Sequence, residues 1–137
     1  MHHEIFQPLG MTNSEVYDDR HQLPNQAASY SKDDVGYRNI DYTPGILIYG
    51  EGNISSTFED MYRWDQALYG DKLVKQSTLA QALTPLYYEH GGGWLGFRTF
   101  IRRYPHLRLT VVTASNLAQV DTSALLAKIA EIYLRDH

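Results

Sequence analysis

The sequence predicts an α+β fold in which a small antiparallel sheet of about three strands, near the C-terminus, is packed by a C-terminal helix and by one or two other helices. A long irregular N-terminal segment precedes them. Three patterns carry this expectation: apolar residues at helical spacing from Phe58 to Leu68, a run of strand-like stretches between residues 86 and 114 broken by short turns, and a second helical stripe from Thr122 to Arg135. The 137 residues, 43% hydrophobic, give room for one core. The chain 1–137 is therefore expected to be a single domain, with a helix end and turn over 1–11, an extended connection over 12–55, helices over 56–85, and the sheet and terminal helix over 86–137.

Residues 12–50 combine Pro24, Pro44, Gly36 and Gly45 with clustered Asn, Asp and Ser, a composition that punctuates the backbone and leaves few regular elements. A connection this long stays ordered when it covers a site or is pinned by aromatic rings. Tyr17, Tyr30, Tyr37, Tyr42 and Tyr49 are spaced to do that. Ile46 to Tyr49 reads as a short buried strand or extended piece.

The helix that follows has a start signal in Ser56 with Glu59 three residues on, the pattern of a capping box. Phe58, Met61, Trp64, Asp65 and Leu68 then recur at helical spacing, and Gly70 supplies a stop. Core packing accounts for Met61 and Trp64. A second helix is expected from about Gln76 to Leu83, ending at Thr84-Pro85 because the residue before proline disfavours helical geometry.

Strands are expected over 86–90, 97–103 and 107–114 as an antiparallel meander, with Tyr104-Pro105-His106 between the last two. Leu107, Leu109, Val111 and Thr113 share one face and Arg108, Thr110 and Val112 the other, so the first face is the core side. The final helix should lay Leu125, Leu126, Ile129, Ile132 and Tyr133 on the sheet.

Composition excludes several functions. A formal charge of −4 provides no basic field for nucleic acid, and Arg98, Arg102, Arg103 and Arg108 lie on a hairpin rather than in a run. No stretch is long and apolar enough to span a membrane, and the first residues lack the apolar core of a signal peptide; the chain as it stands carries no export signal, and its localisation is left open between the cytoplasm and export. There is no cysteine, hence no disulfide, thiolate zinc site or cysteine nucleophile. His2, His3 and Glu4 invite a metal reading, but adjacent histidines leave a helix in different directions and no third ligand has diagnostic spacing. Neither metal nor cofactor is expected.

The most informative segment is Tyr88-Glu89-His90-Gly91-Gly92-Gly93-Trp94-Leu95-Gly96-Phe97. Three successive glycines leave no side chain between the backbone and a ligand, while His90 projects beside them. An incidental histidine on a glycine-rich hairpin would look the same.

Several stretches, in order, resemble the C-terminal portion of the serine β-lactamase and penicillin-binding-protein-like superfamily, which includes class C β-lactamases, esterases and D-amino peptidases. Ile5 to Met11 is similar to its F-x-P-L-G-M segment, at the end of an internal helix; Gly50 to Met61 is similar to its G-x-G-x-x-S-T-x-x-D-M/L helix entry, continued by Trp64 to Leu68. His90-Gly91-Gly92 resembles the Lys-Thr-Gly or His-x-Gly triplet on the strand bordering the active site. Ser115-Asn116 and the helix ending near Leu134 complete the series. The resemblance implies a partial β-lactamase/transpeptidase-like fold, with His90 and Gly92 as the remnant triplet and the Gly93 N–H as an oxyanion-hole donor for a small carbonyl ligand.

In that superfamily the nucleophile and its base come from a helix-borne Ser-x-x-Lys, and a Tyr-x-Asn supplies a second proton-transfer group. Ser29-Tyr30-Ser31-Lys32 and Tyr37-Arg38-Asn39 match these strings, but chance alone yields about 0.2 and about 0.4 such matches in a chain of this composition. Asp33-Asp34-Val35-Gly36 after Lys32 is turn chemistry. Both matches also follow the Pro-Leu-Gly-Met segment, where the superfamily places its motifs before it.

The sequence thus reads as a truncated or split serine-hydrolase fragment without activity alone, because the nucleophile region is missing. A non-catalytic binding or assembly domain is the alternative, and a small esterase using Ser29, Lys32, Tyr37 and His90 a third. A strand that the superfamily usually carries between Pro85 and Tyr87 is skipped, which leaves an edge at 86–90 open to a homodimer or a domain-swapped assembly.

Overall fold

A computed structural model describes residues 1–17, 24–41, 52–82 and 86–135. After a wide π-helical turn at His2–Phe6 come α1 (Gln7–Leu9), β1 (Glu15–Val16), β2 (Tyr30–Lys32), β3 (Tyr37–Asn39), β4 (Ile54–Ser55), α2 (Phe58–Ala67), α3 (Gln76–Ala82), β5 (Tyr88–Trp94), β6 (Phe97–Tyr104), β7 (Leu109–Ser115) and α4 (Thr122–Arg135). The α+β class is as expected. The chain forms two compact units, each assembled from two separate stretches: Met1–His21 with Leu47–Pro85, and Gln22–Ile46 with Leu86–His137.

In the first unit, Gly10 ends α1 in the left-handed region at φ 67°, where glycine has no Cβ to clash. The turn returns the chain so that Phe6 and Met11 are both buried. The cap of α2 lies one residue later than the sequence pattern suggests: Thr57 Oγ1 accepts the Asp60 N–H at 3.2 Å, while Ser56 Oγ pairs with Ser14 Oγ at 2.7 Å. Glu59 bonds Arg63 one turn on, at 2.6 Å, instead of completing a box. Phe58 is exposed.

The fully buried Asp60 organises this unit. Its Oδ2 accepts the Asn13 N–H at 2.7 Å and the Ser14 hydroxyl at 2.8 Å, and its Oδ1 accepts Arg63 Nη1 at 2.6 Å. A buried carboxylate is tolerated only with such a set of charge-assisted donors. With the chain so held, β1 pairs antiparallel with β4, Glu15 opposite Ser55. Two-residue strands leave no alternation to read, which is why the 12–55 stretch looked irregular. Downstream, the Gln76 amide binds Leu68 O and Gly70 O and anchors the start of α3. Ile46 to Tyr49, Tyr42 and the expected stop at Thr84-Pro85 fall outside the described residues.

In the second unit the sheet order is β5-β6-β7, antiparallel throughout. Pleating turns Phe100, Tyr104, Leu109, Val111 and Thr113 to one face, where α4 packs over β6 and β7. Leu126 and Ala130 of α4 close a core with Tyr104 and Val111, flanked by Phe100 and Leu109. Burying a leucine such as Leu126 contributes about 2–3 kcal/mol. Thr113 Oγ1 donates to Thr122 O at 2.9 Å and registers the helix start on the strand.

The core face of β7 is the expected one from Leu109 onward. Leu107 belongs instead to a 3-10 turn, Pro105–Leu107, closed by Arg108 at φ 48°. The helix departs more from expectation: Leu125, Ile129 and Ile132 remain exposed.

Residues 30–39, expected to be loop, form the hairpin β2–β3 with Tyr30 opposite Asn39 and Lys32 opposite Tyr37. Its turn is made by Asp33, whose Oδ1 accepts the N–H groups of Val35 and Gly36. The hairpin docks on the segment after β7. Tyr30 N–H donates to Asn116 O at 2.7 Å and Ala118 N–H to Tyr30 O at 2.9 Å, while Gln119 binds Lys32 N, Lys32 O and Ser31 Oγ with one amide.

Candidate functional site

The triple glycine lies inside β5, not at its end. The ladder pairs His90 with Ile101, Gly91 with Phe100, Gly92 with Thr99, Gly93 with Arg98 and Trp94 with Phe97. Trp94 and Phe97 flank a two-residue turn, so theirs is a hydrogen-bonded pair, and such pairs alternate along an antiparallel ladder. Gly92 therefore directs its N–H and C=O to Thr99. Gly91 and Gly93 direct theirs outward from the edge of the sheet.

His90 and the three glycines are exposed, and His90 shares a face with Gly92, opposite the face covered by α4. The result is a strip of bare backbone, with an imidazole on one face and outward N–H groups along its rim. Position by position the bareness has different causes. At Gly91 a Cβ would meet the Phe100 ring at 3.0 Å, and at Gly92 it would meet Thr99 Oγ1 at 2.5 Å, whereas at Gly93 its nearest neighbour would be Arg98 at 3.7 Å.

Both ends of the strip are braced. At the start of β5, Glu89 accepts Arg102 Nε at 2.7 Å, and the Arg102 guanidinium lies 4.8 Å over the Tyr87 ring. A hydrogen bond to Tyr104, helped by Glu89 against the opposing effect of burial, holds the Arg102 guanidinium above its ordinary pKa. At the other end, Arg98 Nη1 donates to Leu95 O and Phe97 O and fixes the turn, with Leu95 in the left-handed region at φ 49°. Gly96 is pressed against the Tyr30 backbone: a Cβ there would lie 2.6 Å from both Tyr30 N and Tyr30 O. A lone glycine after Leu95 reads in sequence as an ordinary turn residue, so nothing in the string reveals that contact. Asn116 and Gln119, which hold the same hairpin, carry no sequence signal either.

The serine and tyrosine strings are not assembled into a catalytic group. Ser29 immediately precedes β2 and Lys32 ends it, so three residues of extended chain turn their side chains to opposite faces, whereas a helix would bring them together. Ser29 is fully buried and its Oγ has no well-aligned partner; Lys32 is exposed and stacks 5.7 Å over the Tyr37 ring. The Ser29 N–H is held by Asp41, which also accepts Asn39 Nδ2 at 2.7 Å. Burial would raise the Asp41 pKa, but the Ser29 N–H, the Asn39 amide and the Ser29 hydroxyl outweigh it and hold the carboxyl below the usual aspartate range. These residues close the base of a hairpin.

Among the described residues no group of three or more His, Asp or Glu side chains is arranged to hold a metal ion, and no helix is long and apolar enough to cross a membrane.

The α+β fold is that of penicillin-binding and β-lactamase-like proteins. The chain matches the Beta-lactamase family over residues 1–87 and belongs to that family. It is 26% identical to Penicillin-binding protein 4* of Bacillus subtilis strain 168, over 82% of this chain and 33% of that protein. With PbpX of the same strain it shares 35% identity over 59% of this chain and 21% of the other. The octameric penicillin-binding protein homologue from Pyrococcus abyssi superposes with a TM-score of 0.81 at 15% identity, covering 96% of this chain and 36% of that one. The chain thus spans between about a fifth and a third of the length of the curated relatives it matches. The family match ends at residue 87, before His90.

Proposed function

We propose that this chain carries the substrate-side wall of a serine-hydrolase site, with His90 as the polar group beside the substrate and the Gly93 N–H as an oxyanion donor, and that it turns over no substrate by itself. The observation that carries the reading is the orientation of β5. Its ladder leaves the Gly93 N–H directed outward beside glycines that impose no steric bar, the arrangement a backbone donor needs to reach an attacked carbonyl oxygen. Against independent activity stands the Ser29-to-Lys32 string: an extended chain with a buried serine and an exposed lysine offers no activated nucleophile. The nucleophile then comes from polypeptide other than these 137 residues, whether continuous with them or separate. The ligand class is a small carbonyl compound: an ester, a β-lactam or a D-amino peptide.

The test is turnover of a chromogenic ester and a chromogenic cephalosporin by the purified chain, alone and mixed with the portion of Penicillin-binding protein 4* that lies outside the matched third. The reading expects no turnover alone and activity on mixing that falls at least tenfold with His90→Ala. Turnover by the chain alone that disappears with Ser29→Ala would establish the small esterase instead. Carbonyl-ligand binding to β5 with no turnover in any mixture would favour the non-catalytic binding domain.

A further inference from the structure

We propose that Arg98 is the positioning residue of the outer strand: it selects the register of the β5–β6 turn, and that register decides whether the Gly93 N–H faces a ligand or is spent inside the sheet.

The turn runs against local preference. Leu95 holds the left-handed conformation at φ 49°, while the neighbouring Gly96, which could adopt it without a Cβ clash, does not. A glycine just before the return strand favours a three-residue loop, here Trp94-Leu95-Gly96, with that glycine left-handed. Such a loop would set Gly93 opposite Phe97, and the Gly93 N–H would bond Phe97 O. The observed ladder instead sets Trp94 opposite Phe97 and Gly93 opposite Arg98, which leaves the Gly93 N–H outward. A slip of a single residue thus converts the rim donor into a ladder bond.

The middle of β5 offers little resistance to that slip. Gly91, Gly92 and Gly93 carry no side chain that would have to change face, and a bulge among them can absorb the extra residue while Glu89 keeps its bond to Arg102. Register must then be specified at the turn.

Two contacts act there. The Tyr30 backbone, pressed against Gly96, accounts for a glycine at a position whose φ does not call for one. Arg98 supplies the other contact, through Nη1 to Leu95 O at 2.9 Å and to Phe97 O at 2.7 Å. It thereby holds the residue with the costly conformation, and it occupies the acceptor that the competing register would give to Gly93. The same guanidinium lies against Gly93, with Nη1 3.7 Å and Cζ 4.0 Å from where a Cβ would stand. Arg63, Arg102 and Arg135 each pair with a carboxylate, whereas among the described residues Arg98 binds only the two turn carbonyls. Its charge beside Gly93 favours a ligand oxygen that gains negative charge.

The inference rests on the hydrolase-wall reading only for the chemical use of the Gly93 N–H; the register itself can be measured without substrate. Hydrogen exchange at individual amides of the full chain makes the test. The Gly93 N–H should exchange about tenfold or more faster than the Gly92 N–H, which is bonded to Thr99. Arg98→Met, similar in length but without donors, should shrink that ratio by about threefold or more. Arg98→Met/Leu95→Gly, which frees position 95 to be left-handed without a clasp, should restore it. A ratio unchanged in Arg98→Met overturns the proposal, as does one that the second substitution fails to restore. The buried Val111 amide reports the fold: if it opens together with Gly92 in Arg98→Met, Arg98 serves general stability and the proposal fails. In the mixture with the remainder of Penicillin-binding protein 4*, Arg98→Met should lower kcat about tenfold at unchanged KM, and Leu95→Gly should recover it. A parent mixture without turnover counts against the hydrolase wall alone, because the exchange ratio decides the role of Arg98 independently.

Discussion

Gly96 and Tyr30 meet backbone to backbone, 66 positions apart in sequence, with no room between them for even a methyl group. Through this contact the tip of the β5–β6 hairpin, four residues beyond the end of the His90-to-Gly92 triplet, rests on the base of the β2–β3 hairpin.

Gly96→Ala is expected to destabilise the second unit by about 1–3 kcal/mol, the usual range for overpacking where the neighbour cannot rotate away. Both obstructing atoms are main chain, at 2.6 Å. The measurement is the urea midpoint, and amide shifts of Tyr30 and Ala118 should move together with those of Gly92 and Gly93. A midpoint unchanged from the parent would mean the contact is looser than described.

Gly92→Ala carries a nominally identical change to a different neighbour. The added methyl meets only Thr99 Oγ1, a side-chain atom that can be removed. The cost should be below that of Gly96→Ala and should largely vanish in the Thr99→Ala background, a coupling of about 1 kcal/mol in a double-mutant cycle. Additive effects in the cycle would contradict the pairing.

Asp60→Ala leaves the Asn13 N–H, the Ser14 hydroxyl and Arg63 without their shared acceptor. A loss of about 3 kcal/mol is expected, as for breaking a buried charge pair from one side. Limited proteolysis should then cut between α1 and β1, where the parent resists. Asp60→Asn keeps an acceptor oxygen and should lose less.

Asp41 makes the β2–β3 hairpin acid-sensitive. Its folded pKa is lowered, so its stabilisation is complete above the unfolded value of about 3.9 and is lost as pH falls through the lower folded value. Exchange at the Ser29 amide should therefore show excess opening only at acid pH. In Asp41→Asn that acid dependence should flatten; a profile identical to the parent would assign it to another carboxylate.

Helical spacing revealed α2 and α4 in the sequence because each buries part of an amphipathic face, and β6 and β7 were legible because the residues of β7 alternate about one core. The β1–β4 pair and the β2–β3 hairpin were not. Two- and three-residue strands have no period, and what holds them, Asp60 in one unit and Asn116 with Gln119 in the other, acts across 46 to 88 residues. The cap at Thr57 rather than Ser56 has the same origin, since Ser56 is drawn to Ser14. For the candidate site, the string His90 to Gly93 identified the strand; its outward Gly93 N–H follows from the two-residue turn at Leu95-Gly96, whose register no composition rule supplies. The burial of Ser29 was equally hidden, because it comes from contact with a distant glycine.

The two compact units are interleaved along the chain, each beginning before the other is finished. Neither can be obtained as one uninterrupted gene fragment, and a ribosome must release α2 before Asn13 and Ser14 find their carboxylate. Truncation from either end can break one unit but cannot deliver the other free of it, so assigning an activity to either one calls for point substitutions or for rejoining its two stretches with a designed linker.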